Sequence, residues 1–108
     1  MKYLKLSALV TLGLLVCGTV HAKAPSIDYQ WTEFYGNSRT CLSSAKGAMQ
    51  DAGFKITGST GTKEVVGRKG NYKGVVACFV DHGLAVFTVA GPVYKTAERY
   101  AKAIKNNF

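Results

Sequence analysis

The first 22 residues constrain everything after them, because they read as a segment to be removed rather than folded. Lys2 and Lys5 give a positive start, and an apolar run follows from about Leu6 to Val16. Val20-His21-Ala22 then presents small or tolerated residues ahead of a cut. The run is too short, and too interrupted by Thr11, Gly13 and Thr19, for a membrane anchor of about 20 apolar residues. Val16 ahead of Cys17 does not suit a lipoprotein cut, and Pro25 opposes cleavage after Ala24. The expected product begins at Lys23, carries no transmembrane anchor and is periplasmic or secreted.

Removing 22 of the 108 residues leaves 86, enough for one domain and too few for two. A core of that size gains from a covalent staple. Cys17 departs with the leader, so Cys41 and Cys78 remain as an even pair, expected to join in an oxidising compartment. The loop they close spans 37 residue steps, which restricts the unfolded chain by about 3–4 kcal/mol. The pair lacks the C-x-x-C spacing of a redox motif. Losing Lys2 and Lys5 lowers the formal charge from +8 to +6. That excess favours an anionic partner or surface, such as lipopolysaccharide, phospholipid headgroups, nucleic acid or an acidic protein.

Period two with aromatics predicts a strand over 27–35, with Ile27, Tyr29, Trp31 and Tyr35 on one face and Asp28, Gln30 and Thr32 on the other. After a cap at Asn37 or Ser38, the residues Cys41, Leu42, Ala45, Ala48, Met49 and Ala52 form one face of a helix that ends at Gly53. A short strand at Phe54-Lys55-Ile56, a turn at Gly58–Gly61, a strand over Glu64–Lys69 and a turn at Gly70–Gly74 follow. Strands over Val75–Val80 and Leu84–Ala90 are joined by a three-residue loop, Asp81-His82-Gly83. Beyond Pro92, Val93, Ala97, Tyr100, Ala101, Ile104 and Phe108 mark a second helix. The order β-α-β-β-β-β-α predicts an α+β fold, a mainly antiparallel sheet packed by two helices in two layers.

The segments Cys41-Leu42-x-x-Ala45, Gly53-Phe54, Gly67-Arg68-x-Gly70-Asn71-Tyr72, Cys78 and Val89-Ala90-Gly91-Pro92 resemble a group of small exported bacterial proteins. Members of that group pair a helix cysteine with a strand cysteine and end in a helix after Ala-Gly-Pro. The resemblance covers most of the mature chain and implies fold and export. It supplies no active-site residues.

If Val80 pairs with Leu84, Cys78 shares a helix-covered face with Val76, Val80, Leu84 and Val86. The opposite face then carries Val75, Ala77, Phe79, Ala85, Phe87 and Val89, all apolar, and needs a cover of its own. The cover is either the N-terminal aromatic segment or a partner. On the second reading Phe79, Phe87, Val75 and Val89 form a partner-binding surface, a homodimer through the sheet face among its forms. Two basic features suit anions: Lys95, Arg99 and Lys102 along one face of the last helix, and Arg68, Lys69 and Lys73 in the glycine-rich stretch. That stretch lacks phosphate-loop order, and the helix lacks the interleaved aromatics of specific nucleic-acid readers.

Enzymatic chemistry finds little support. His82, the sole histidine of the mature chain, would need Ser43 or Ser44 from a distant helix to form a hydrolase pair. The six carboxylates are scattered singly, no metal-ligand spacing is present, and no cofactor is expected. The expected function is an exported non-enzymatic binding module engaging an envelope component or a protein. The alternatives are a small serine–His82 hydrolase and an immunity or inhibitor protein for an acidic toxin. Inhibition of a basic lysozyme is opposed by the +6 charge.

Overall fold

The computed structural model describes residues 24–61 and 63–108. The leader segment, with Lys2, Lys5 and Cys17, lies outside the described residues. Strand β1 (Ser26–Glu33) leads to helix α1 (Ser38–Asp51), then β2 (Lys55–Thr60), β3 (Glu64–Lys69) and β4 (Tyr72–Phe79). A turn of 3-10 helix (Val80–His82) leads into β5 (Leu84–Gly91), and α2 (Tyr94–Asn107) ends the chain. The five strands form one sheet in the order β1-β5-β4-β3-β2, with every pairing antiparallel. Both helices pack on one face, giving the expected α+β architecture.

Helix α1 starts where the Asn37 side chain accepts a hydrogen bond from the Thr40 N–H at 2.8 Å, satisfying one of the free amides of the first turn. Its apolar stripe, Cys41, Ala45, Ala48 and Met49, is buried against the sheet. The sheet makes room for it with glycine. Gly67 and Gly74 lie opposite one another on β3 and β4. A Cβ on Gly74 would stand 2.9 Å from the Phe54 ring and 3.1 Å from the Met49 methyl, so any larger residue would push both from the core. At the other end of the stripe, the Cys41–Cys78 disulfide ties α1 to β4, with S–S 2.06 Å and Cα atoms 6.2 Å apart.

Helix α2 closes the remainder with Ala97, Ala101 and Ile104. Tyr100 stands edge-on to both Phe54 and Tyr72, while Phe108 does the same to Phe34 and Phe87. Such edge-to-face contacts add modestly to the burial itself.

The hairpin between β4 and β5 corrects the expected register. Val80 does not face Leu84; it enters the 3-10 turn, and Phe79 pairs with Leu84 instead. Gly83, at φ 64°, closes the loop by donating its N–H to the Val80 carbonyl at 3.2 Å. A shift of one residue flips the whole of β5. Phe87 and Val89 therefore point into the core, both fully buried, and cannot form a partner-binding surface. The packing explains the choice. This register sets small Ala85 opposite Cys78, where the disulfide needs space, and keeps the Thr88 hydroxyl out of the apolar layer. The N-terminal segment does not cover the other face either, because β1 joins the sheet edge beside β5 and extends that face.

Candidate functional site: the open face of the sheet

Residues opposite one another in an antiparallel ladder share a face, so the registers define what the uncovered side displays. One row crosses all five strands as Ile27, Ala90, Lys73, Arg68 and Lys55. The next carries Tyr29, Thr88, Val75 and Val66, and the one beyond carries Trp31, Val86, Ala77 and Glu64. Glu33, Leu84 and Phe79 complete the far end.

This face is apolar and open. Tyr29 is 67% exposed, Trp31 56%, Ile27 55% and Phe79 46%, while Val75, Leu84 and Val86 are half-buried between them. A shallow hollow of about 380 Å³ lies among Tyr29, Trp31, Leu84 and Val86. Isolated exposed apolar residues are ordinary, but a contiguous patch on a small monomer marks a contact surface. Of the four expected partner-binding residues, Phe79 and Val75 lie here; Phe87 and Val89 do not. The residues sequence reasoning passed over are Ile27, Tyr29 and Trp31, whose shared face was already visible in the period-two pattern.

The basic residues sort in the same way. Alternation along β3 sends Arg68 to the open face and Lys69 to the helix side. There the Lys69 ammonium donates to the Ala52 carbonyl at 2.8 Å, capping the end of α1, and stands 4.3 Å from the centre of the Tyr100 ring. Lys69 is thus committed to the fold and leaves the anion-binding set. Lys55 takes its place beside Arg68 and Lys73, so three cations line one end of the open face. Glu33 and Glu64 lie toward the opposite end, and the face is charge-polarised along the strands.

No family model, curated protein or solved structure matches this chain. The assignment rests on the geometry.

The row on α2 is less concentrated. Lys102 lies 3.7 Å from Glu98 in an exposed pair, and Arg99 leans over the Tyr100 ring at 5.5 Å, leaving Lys95 beside them in solvent. Of the serines, the structure brings Ser38 rather than Ser43 to the hollow beside His82. His82 lies beside a hollow with Ser38, Lys63, Phe79 and Asp81, whereas Ser43 lines a different one with Arg39, Leu42 and Lys46. Among the described residues no group of three or more His, Cys, Asp or Glu gathers at metal-binding distance. No helix of the described residues is long and apolar enough to cross a membrane.

One further polar contact lies on the helix-covered side of β1. The nearly buried Asp28 carboxylate accepts from the Tyr94 hydroxyl at 3.2 Å and from the Gln30 side-chain amide at 3.0 Å. The hydrogen bond to Asp28, reinforced by its negative charge, holds the Tyr94 phenol above its ordinary pKa. This contact ties α2 to β1.

Proposed function

We propose that the chain is an exported, non-enzymatic binding module whose working surface is the open sheet face and whose partner is a phosphate-bearing anionic lipid surface of the cell envelope. The observation that carries this reading is the coincidence, on one uncovered face, of an aromatic and aliphatic patch with the Lys55, Arg68 and Lys73 row. Trp and Tyr favour the boundary between headgroups and acyl chains, where an apolar ring and a polar edge are both accommodated. Each Lys or Arg near an anionic membrane surface contributes about 1 kcal/mol, so three contribute about 3 kcal/mol before screening by salt. The net positive charge of the chain favours the same encounter over longer distances.

The chain contains a single tryptophan, Trp31, and it lies on this face, so its emission reads occupancy directly. Vesicles rich in phosphatidylglycerol should shift Trp31 emission to the blue, with a salt-sensitive affinity, and pure phosphatidylcholine should not. Arg68→Glu with Lys73→Glu should abolish the shift while the fold and disulfide remain. An unchanged spectrum with anionic vesicles, or an equal response to both compositions, overturns the proposal.

A further inference from the structure

We infer that two copies of this chain associate through the free edge of β1, pairing antiparallel about a two-fold axis at Tyr29 and joining their sheets into one of about ten strands. The inference concerns the edge of the sheet and is independent of what docks on its face.

The two edges of the sheet are unlike. Strand β2 carries a register break between Ile56 and Gly58, the kind of irregularity that blunts an edge against pairing. Strand β1 pairs with β5 in unbroken register from Ser26 to Glu33 and contains no proline and no lysine. Among the described residues no strand pairs with its outer side, and a groove of about 700 Å³ runs along residues Asp28 to Glu33 and reaches Tyr94 and Lys105 of α2.

The hydrogen-bonding phase of that edge follows from one contact. The Phe34 N–H donates to the Gly83 carbonyl at 3.0 Å, continuing the β1–β5 ladder beyond its last pair. In an antiparallel ladder the residues that bond one neighbour alternate with those that face the other side. Even-numbered β1 residues therefore bond β5, and the N–H and C=O groups of Ile27, Tyr29 and Trp31 point outward. Those same residues carry the exposed apolar side chains, so the unpaired backbone and the uncovered apolar surface coincide.

The strand is complementary to itself. About the axis at Tyr29, Ile27 of one copy lies opposite Trp31 of the second copy, and Tyr29 meets Tyr29. On the other side Asp28 lies opposite Gln30 of the second copy. Aromatic with β-branched and carboxylate with amide are favourable cross-strand combinations, and no like charges fall opposite. Three outward-facing residues on each strand close about six backbone hydrogen bonds.

Sedimentation equilibrium of the disulfide-bonded chain without lipid should give a monomer–dimer equilibrium. Tyr29→Pro deletes an N–H that no bond among the described residues uses, and should give a monomer with an unchanged circular dichroism spectrum; Tyr29→Ala keeps that N–H and should still dimerise, more weakly. Amide exchange by NMR reads the same edge without mutation. Protection of the Ile27, Tyr29 and Trp31 amides should rise with protein concentration, while that of Asp28 and Gln30 should not. A monomer at every concentration, a dimer that survives Tyr29→Pro, or edge amides protected only when a foreign extended peptide is added would each overturn the inference. Loss of the dimer on Phe79→Ser alone would also overturn it, by placing the contact on the face. Vesicle binding by a monomeric Tyr29→Pro chain would leave the lipid reading standing by itself.

Discussion

Truncating Phe87 to alanine should cost far more stability than truncating Phe79, although the two phenylalanines lie on adjacent strands of one hairpin. Phe87 is fully buried, stands edge-on to Phe108 with ring centres 5.1 Å apart, and lies opposite buried Val76. Removing such a ring costs about 3–5 kcal/mol, the lost transfer term plus the cavity. Phe79 is 46% exposed, which leaves a cost of about 1 kcal/mol for its remaining contacts. A domain of this size is stable by about 5–10 kcal/mol, so the first loss is a large share of the total and the second is minor. In melting temperature, Phe87→Ala should lower the midpoint by roughly 12–40 °C and Phe79→Ala by roughly 4–8 °C. Denaturant unfolding with the disulfide intact, followed by circular dichroism, gives both values. Equal costs, or a greater cost at Phe79, would refute the register in which Phe79 pairs with Leu84 and with it the composition of the open face.

Three further outcomes follow from contacts within the fold. Oxidised protein should show no free thiol at Cys41 or Cys78, and replacing both with alanine should remove about 3–4 kcal/mol, read from the denaturant midpoint. Lys69→Met should lose about 1–2 kcal/mol by uncapping the Ala52 carbonyl yet leave vesicle binding intact, whereas Arg68→Gln should weaken vesicle binding at almost unchanged stability. Tyr94, its folded pKa raised by Asp28, should ionise after an unperturbed phenol in a phenolate absorbance titration. The stability it contributes is complete below the unfolded value of about 10 and is lost as pH rises through the higher folded value, a loss that Tyr94→Phe should abolish.

Local order in this chain was written where a pattern has both a period and a phase. The spacing of Cys41, Ala45, Ala48 and Met49, with Asn37 ahead of it, specified α1 and its buried stripe. The even cysteine pair specified the disulfide. Period-two alternation specified a strand over Val75 to Val80, which ends one residue earlier at Phe79, and one over Leu84 to Ala90, but it carries no phase across a loop. Asp81-His82-Gly83 suggested a three-residue connection; Val80 winds into the turn as well, and that single residue exchanged the faces of β5. Strand β2 runs on through Gly58-Ser59-Thr60, a composition that favours a turn, because β3 alongside supplies its ladder. Strand β4 begins at Tyr72 rather than Val75, and Gly74 lies within it opposite Gly67, where a Cβ would meet Met49 and Phe54. The open face was half legible. Alternation aligned Ile27, Tyr29 and Trp31, and would also have separated Arg68 from Lys69. Only the cross-strand register, a tertiary fact, brings Lys55 beside Arg68 and Lys73.

The Cys41–Cys78 bond also divides the chain by order of assembly. The covalent loop encloses most of α1 with β2, β3 and β4, and leaves β1, β5 and α2 outside it. The two strands outside the loop depend on each other: Ser26 pairs with Gly91, 65 positions further along. Synthesis from the N-terminus delivers β1 before the strand with which it pairs. Its only partner strand arrives after Cys78 has already passed. The cysteines can therefore close on a core of α1, β2, β3 and β4 while β1 still waits in solvent with both edges bare. Docking β1 on β5 joins residues 51 to 65 positions apart, from Glu33 with Leu84 to Ser26 with Gly91, the kind of long-range contact that slows folding. The strand made first thus waits for β5, and among the described residues its outer edge pairs with no other strand of the same chain.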